Sequence, residues 1–230
     1  RSARQSCLLL FGCDGIDLKL LQNAEYGPRL FTNALRRHGR RCQFLWLSGL
    51  WISDVKGEDS MPFHIVYGDI TQMQVDAIVN AASVSLKKRP GICAAIFHAA
   101  GEHLLQKACR DVGYCPPGKA VITPGFHLPA RFIIHTASPG WFGSIHNARR
   151  ILKLCYFHSM GLAAAYRCKS LAFPLIFSGD YAIPRQEALK TAVASIQLFL
   201  QQHPSMEIYL VLYRRSIYEY AIRTYGCGEP

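Results

Sequence analysis

Three observations predict an α/β fold, a sheet covered by helices on both faces, over residues 61–230. Strand-like and helix-like runs alternate from Met61 onward with little wasted length between them. Half of the chain is hydrophobic and 18% is charged, a globular balance rather than a disordered one. With 230 residues there is room for one domain of ordinary size and an appendage.

The elements follow in order. FHIVY at 63–67 and DAIVNAA at 76–82 are β-rich apolar runs bounded by Gly68, Asp69 and Ser83. The run GICAAIFHAAGEHLLQKACRDVG at 91–113 sets Ile92, Ile96, Ala99, Ala100 and Leu104 near one face at helical spacing, so it predicts one long helix. KAVITPG and RFIIHTA are the next two strands. Residues 146–166 predict a second helix, SLAFPLI a buried strand, and PRQEALKTAVASIQLFLQQ a third helix with Pro184 at its opening. MEIYLVLY is the last strand and SIYEYAIRTYG a short closing helix. Residues 1–60 scatter Cys, Trp and Arg without a sustained period, and VKGEDS reads as a solvated linker. They are an N-terminal extension to which the sequence assigns no role.

Twenty-six Lys and Arg against fifteen Asp and Glu leave a formal charge of +11, which favours an anionic partner. Residues 61–230 carry +8 of it. Composition does not rank nucleic acid, an acidic membrane surface and a phosphorylated small molecule. Nine Cys without a CxxC pair fit reduced thiols and a cytoplasmic location. No apolar run approaches the roughly 18 to 20 residues that cross a bilayer, so no membrane partner is expected. A cleavable signal peptide is not expected either, since no small-residue cleavage site follows the first segment.

In an open α/β sheet, ligands gather beyond the C-terminal strand ends, where loops enter helices whose amides face outward. GDIT, NAASVSLKKRPGIC and IFSGDYAIP lie there, each with Gly or small polar residues that let backbone amides approach an anion. Together they describe a cleft for a phosphorylated ligand.

At these residues the sequence resembles the macro-domain family of the stand-alone bacterial type, over nearly all of 61–230. VYGDITQMQVDAIVNAAS is similar to the family opening and PGICAAIFHAAG to its Gly-rich loop and first helix. GYCPPGKAVITPGFHLPARFIIHTASPGW, LAFPLIFSGDYAIPRQEA and EIYLVLY follow in the family's order. The resemblance implies a three-layer α/β/α fold with a central mixed sheet and a site for ADP-ribose or ADP-ribosylated protein. It implies no cofactor and no metal.

The resemblance also implies roles. Asp69 would accept from the adenine amino group with the Ile70 amide beside it; on its own it reads as a turn residue after Gly68. Asn80 and Ser83 stand where the family has two Asn, the second of which touches the distal ribose. Asn80 reads equally as a side chain pinning its own loop. Gly91, Ile92 and Cys93 would pass alongside the diphosphate and distal ribose through main-chain amides. LKKRPG replaces the usual Gly run, and Lys87, Lys88 and Arg89 read either as a solvated charge run or as added attraction. Ser178, Gly179, Asp180 and Tyr181 resemble the second phosphate loop. Tyr213 reads as an adenine neighbour or a plain strand-end tyrosine.

Rival motifs are weaker. GYCPPGKA at 113–120 nearly spells a P-loop, but Ala120 replaces the magnesium-holding hydroxyl and a β-rich run follows. His98, His103, His135 and His146 lack metal-ligand spacing, so core or surface histidines are the default. A nucleic-acid module rests only on charge, without aromatic interleaving on a basic strand surface. Two functions remain: hydrolysis of ADP-ribose from modified side chains, with Ser83 and Cys93 as candidate catalytic residues, or ADP-ribose reading without turnover. Cys93 occupies the position at which the most active family branch carries a water-orienting Asp.

Overall fold

Apolar residues dominate the six runs that pair into one sheet: β1 (Phe63–Tyr67), β2 (Ala77–Ala82), β3 (Ala120–Pro124), β4 (Phe132–Ala137), β5 (Ser170–Pro174) and β6 (Glu207–Leu212). Their order across the sheet is β1-β6-β5-β2-β4-β3. Neighbours are parallel except β3 and β4, which form an antiparallel hairpin. This mixed sheet belongs to a computed structural model that describes residues 62–137, 145–176 and 183–226. It also describes two short strands, Trp46–Leu47 and Leu50–Trp51, which pair antiparallel. The chain divides into two compact units, Arg1–Ser60 and Met61–Pro230.

Five helices cover the sheet: α1 (Ile92–Ala100), α2 (Glu102–Val112), α3 (Ile145–Ala165), α4 (Arg185–Leu200) and α5 (Arg215–Tyr225). The central strands are buried on both faces, and alternation divides them between two cores. Ala77 and Val79 of β2 join Leu171 and Phe173 of β5 against α3 and α4. Ile78 and Ala82 join Ile133 of β4 and Ala172 of β5 against α1 and α2. Three layers result, as predicted.

The predicted single helix over 91–113 is two. Gly101 ends α1 at φ 90°, a conformation that favours glycine, and a Cβ there would come within 3.0 Å of His127 Nδ1. The break shifts the helical phase. Leu104, expected on the buried face, is 45% exposed, and Leu105 is buried in its place. Pro184 is the N-cap of α4, one residue outside the helix. The P-loop-like run is a turn: Gly118 has φ 77°, Lys119 N–H bonds to Pro116 O at 3.0 Å, and strand β3 follows.

At the opposite end from the candidate loops, Asp76 ties three strands together. Its carboxylate accepts from Lys169 N (2.7 Å), Ser170 N (3.2 Å) and Arg131 Nη1 (3.4 Å). Partial burial alone would raise its pKa, but those two amides and the guanidinium more than offset this and hold it below 3.8.

Candidate functional site at the strand ends

β2 and β5 are neighbours, yet the chain leaves them by opposite faces: β2 leads to α1 on one side and β5 to α4 on the other. This is a topological switch point, the place in an open α/β sheet beyond whose strand ends ligands bind. Two of the three predicted loops begin here, and the third, GDIT, follows edge strand β1, separated from β5 by β6.

At the end of β1, Gly68 N–H still bonds to Leu212 O of β6 (3.3 Å), and Asp69 then caps a one-turn 3-10 helix, Ile70–Gln72. Asp69 Oδ1 accepts from both the amide and the hydroxyl of Thr71, each at 2.9 Å. The residue is exposed while Ile70 is buried. Both readings of Asp69 are therefore compatible: one oxygen shapes the turn, and the carboxylate still faces outward. Tyr213, at the end of neighbouring β6, is 76% exposed.

After β2, Ser83 Oγ lies 3.3 Å from Ser85 Oγ and donates to Lys87 O at 3.4 Å, so its hydroxyl closes its own loop. Leu86 anchors that loop in the core at φ 55°, and Cys115 N–H bonds to Val84 O at 2.9 Å. Lys88 pairs with Glu102 at 2.7 Å across an exposed surface. The Gly-poor loop is thus held by contacts along its length. It ends at Gly91, the exposed N-cap of α1, with φ 82° and no side-chain cap. Ala95 N–H is bonded to Gly91 O, and the preceding amides of Ile92, Cys93 and Ala94 belong to the first turn, where no intrahelical acceptor exists. Such a terminus suits an anion.

The Cys93 side chain turns away from that opening. It is buried and lies 3.7 Å from Asn80 Nδ2. Asn80, fully buried, also donates to His135 Nδ1 at 3.1 Å, and its Oδ1 has no protein partner. If Nδ1 accepts, the ring proton must sit on Nε2, which faces Thr123 Oγ1 at 2.9 Å. Burial pushes His135 down to about 4, so the ring is neutral at physiological pH. Burial likewise pushes the thiol of neighbouring Cys109 up to about 11, leaving a protonated group. Asn80, Cys93 and His135 thus form a buried polar layer under the loop that joins β2 to α1.

The structure brings together Asp69, Ile70, Asn80, Ser83, Gly91, Ile92, Cys93 and Tyr213 at or beneath the C-terminal edge of the sheet. Ser178, Gly179, Asp180 and Tyr181 lie outside the described residues. Sequence reasoning left His135 as a default core histidine and missed that it supports Asn80. The signal was parity: Asn80 and His135 are register partners on adjacent parallel strands, but one sequence does not reveal that adjacency. Among the described residues no His, Cys, Asp or Glu group could hold a metal, and no helix is long and apolar enough to cross a membrane.

The macro-domain family model matches residues 79–192. The chain is 46% identical over 155 residues to an O-acetyl-ADP-ribose deacetylase of Citrobacter rodentium, covering 65% of this chain and 87% of that one. A macro domain-containing protein of Chlorobaculum tepidum is 42% identical over 149 residues, covering 65% and 86%. Among solved structures, the Oceanobacillus iheyensis macrodomain with ADP superposes with a TM-score of 0.64 at 38% identity, over 70% of this chain and 89% of that chain. The ordered loops, the mixed sheet with its switch point and these relatives agree, and the chain belongs to the macro-domain family.

Proposed function

We propose that the crevice binds ADP-ribose and that the protein hydrolyses ester bonds to it. The bonded group would be a small acyl group, as in the substrate named for the Citrobacter rodentium relative, or an acidic protein side chain. One observation carries the reading: an uncapped, glycine-led α1 terminus opens on the same sheet edge as the exposed Asp69 carboxylate. Amides there suit the diphosphate, and an acceptor-only group suits an adenine amino group. Supporting it, the Oceanobacillus iheyensis relative was solved with ADP.

The candidate catalytic side chains are tied into the fold rather than aimed at the opening. Ser83 closes its own loop, Cys93 is buried against Asn80, and His135 is neutral and enclosed. Catalysis on this reading comes from positioning: amides hold the diphosphate, and the substrate's own phosphate orients water towards the reacting carbon. The same facts favour a second reading, a binder without turnover. Incubation with O-acetyl-ADP-ribose, followed by chromatography of the products, separates them. Release of acetate and ADP-ribose above the buffer rate supports hydrolysis. Tight binding without release leaves a reader.

A further inference from the structure

We propose that the outer surface of α5 and the adjoining end of β1 form a platform for single-stranded nucleic acid, with exposed Tyr67, backed by half-buried Tyr218, stacking on a base and Arg214, Arg215 and Arg223 meeting phosphates. The two rings lie together, centroids 5.7 Å apart, and Tyr67 is 45% exposed. The Arg215 guanidinium carbon sits 5.9 Å from the Tyr67 ring centroid, so a cation is ordered beside an aromatic face. Tyr218, Glu219, Ile222 and Arg223 line an open depression of about 310 Å³ on the outer face of this helix. Arg214, Arg215 and Arg223 are all exposed.

The charge of this surface selects an anion. Between Tyr213 and Gly226 the only carboxylate is Glu219, and it pairs with Arg215 at 3.2 Å. Two further arginines flank that pair, within a unit that is itself basic. The rings then select among anions. Basic groups interleaved with exposed aromatic faces recognise unpaired bases, which stack without regard to sequence. A duplex hides its bases, and an acidic peptide would engage the arginines but leave the rings unused. An exposed ring at the end of β1 and arginines on α5 bring aromatic and basic groups together on this surface. The proposal does not depend on ADP-ribose binding, because none of these residues has been placed in the crevice.

Fluorescence anisotropy with a labelled oligothymidylate of roughly twelve nucleotides tests it on the full chain. Binding should weaken roughly twentyfold between 50 and 200 mM salt if three phosphates are neutralised. Tyr67→Ala should weaken it about fivefold or more. Arg215→Glu with Arg223→Glu should weaken it about tenfold or more, while both variants keep wild-type ADP-ribose affinity and circular dichroism. Absence of binding at 50 mM salt would overturn the proposal. So would a well-folded Tyr67→Ala protein with unchanged affinity, or equal competition by polyglutamate, inorganic polyphosphate or duplex DNA, since each would leave the rings without a role.

Discussion

Acidification should destabilise the protein through His135. The ring is enclosed between Asn80 and Thr123, and burial lowers its pKa from 6.5 to about 4. Above pH 6.5 folded and unfolded chains both carry it neutral, so it imposes no penalty. As pH falls below 6.5 the unfolded chain takes up a proton that the folded chain refuses, and stability drops until about pH 4, where the folded form also protonates. The gap of two and a half units corresponds to roughly 3 kcal/mol in full, and to about 2 kcal/mol at pH 5. Urea unfolding from pH 7.5 to pH 5 measures it, with His135→Gln as the control. That variant loses the planar ring that spans Asn80 and Thr123, and with it some stability at neutral pH, but it should show a much flatter slope through this window. An equal slope in both proteins would refute the assignment of the acid sensitivity to His135.

Further outcomes follow from individual contacts. Gly125→Ala places a Cβ 1.8 Å from Ala130 O in the β3–β4 hairpin, so the backbone must shift; a loss on the order of 3 kcal/mol or more should appear as a lowered melting temperature. Asp76→Asn should cost about 1–2 kcal/mol at pH 7, measured by urea unfolding. Because the folded carboxyl lies below 3.8, that difference is fully present above the unfolded pKa and shrinks as pH falls below it. Cys93→Ala should retain most hydrolytic turnover, read by product chromatography, because the thiol is buried against Asn80 and faces away from the opening. Loss of turnover in Cys93→Ala alone would contradict catalysis by positioning.

Much of this fold was legible because the strands are short, apolar and separated by helical runs of different period. All six strands and the α3, α4 and α5 helices stand where periodicity put them. The failure at Gly101 has a clear cause. Its neighbours keep helical spacing, so only the close approach of His127, distant in sequence, reveals why the backbone turns there. The site divides in the same way. Loop chemistry put Asp69 at a turn and Gly91 at the start of a helix, placements set by local backbone and side-chain type. The fates of Ser83 and Cys93 depend on partners found only in three dimensions: the Lys87 carbonyl for one and the Asn80 amide for the other. The layer joining Asn80 to His135 requires knowing that β2 and β4 are neighbours, and no single sequence encodes that register visibly.

Calorimetric titration of ADP-ribose into the full chain, with Asp69→Asn in parallel, tests the central claim most directly. Asparagine keeps an oxygen for the Thr71 amide and hydroxyl but presents a donor where the carboxylate would accept from adenine. The account predicts saturable binding by the wild type, weakened by about 1.5–3 kcal/mol in Asp69→Asn, or roughly ten- to 150-fold. Absence of saturable heat in the wild-type titration would contradict the account.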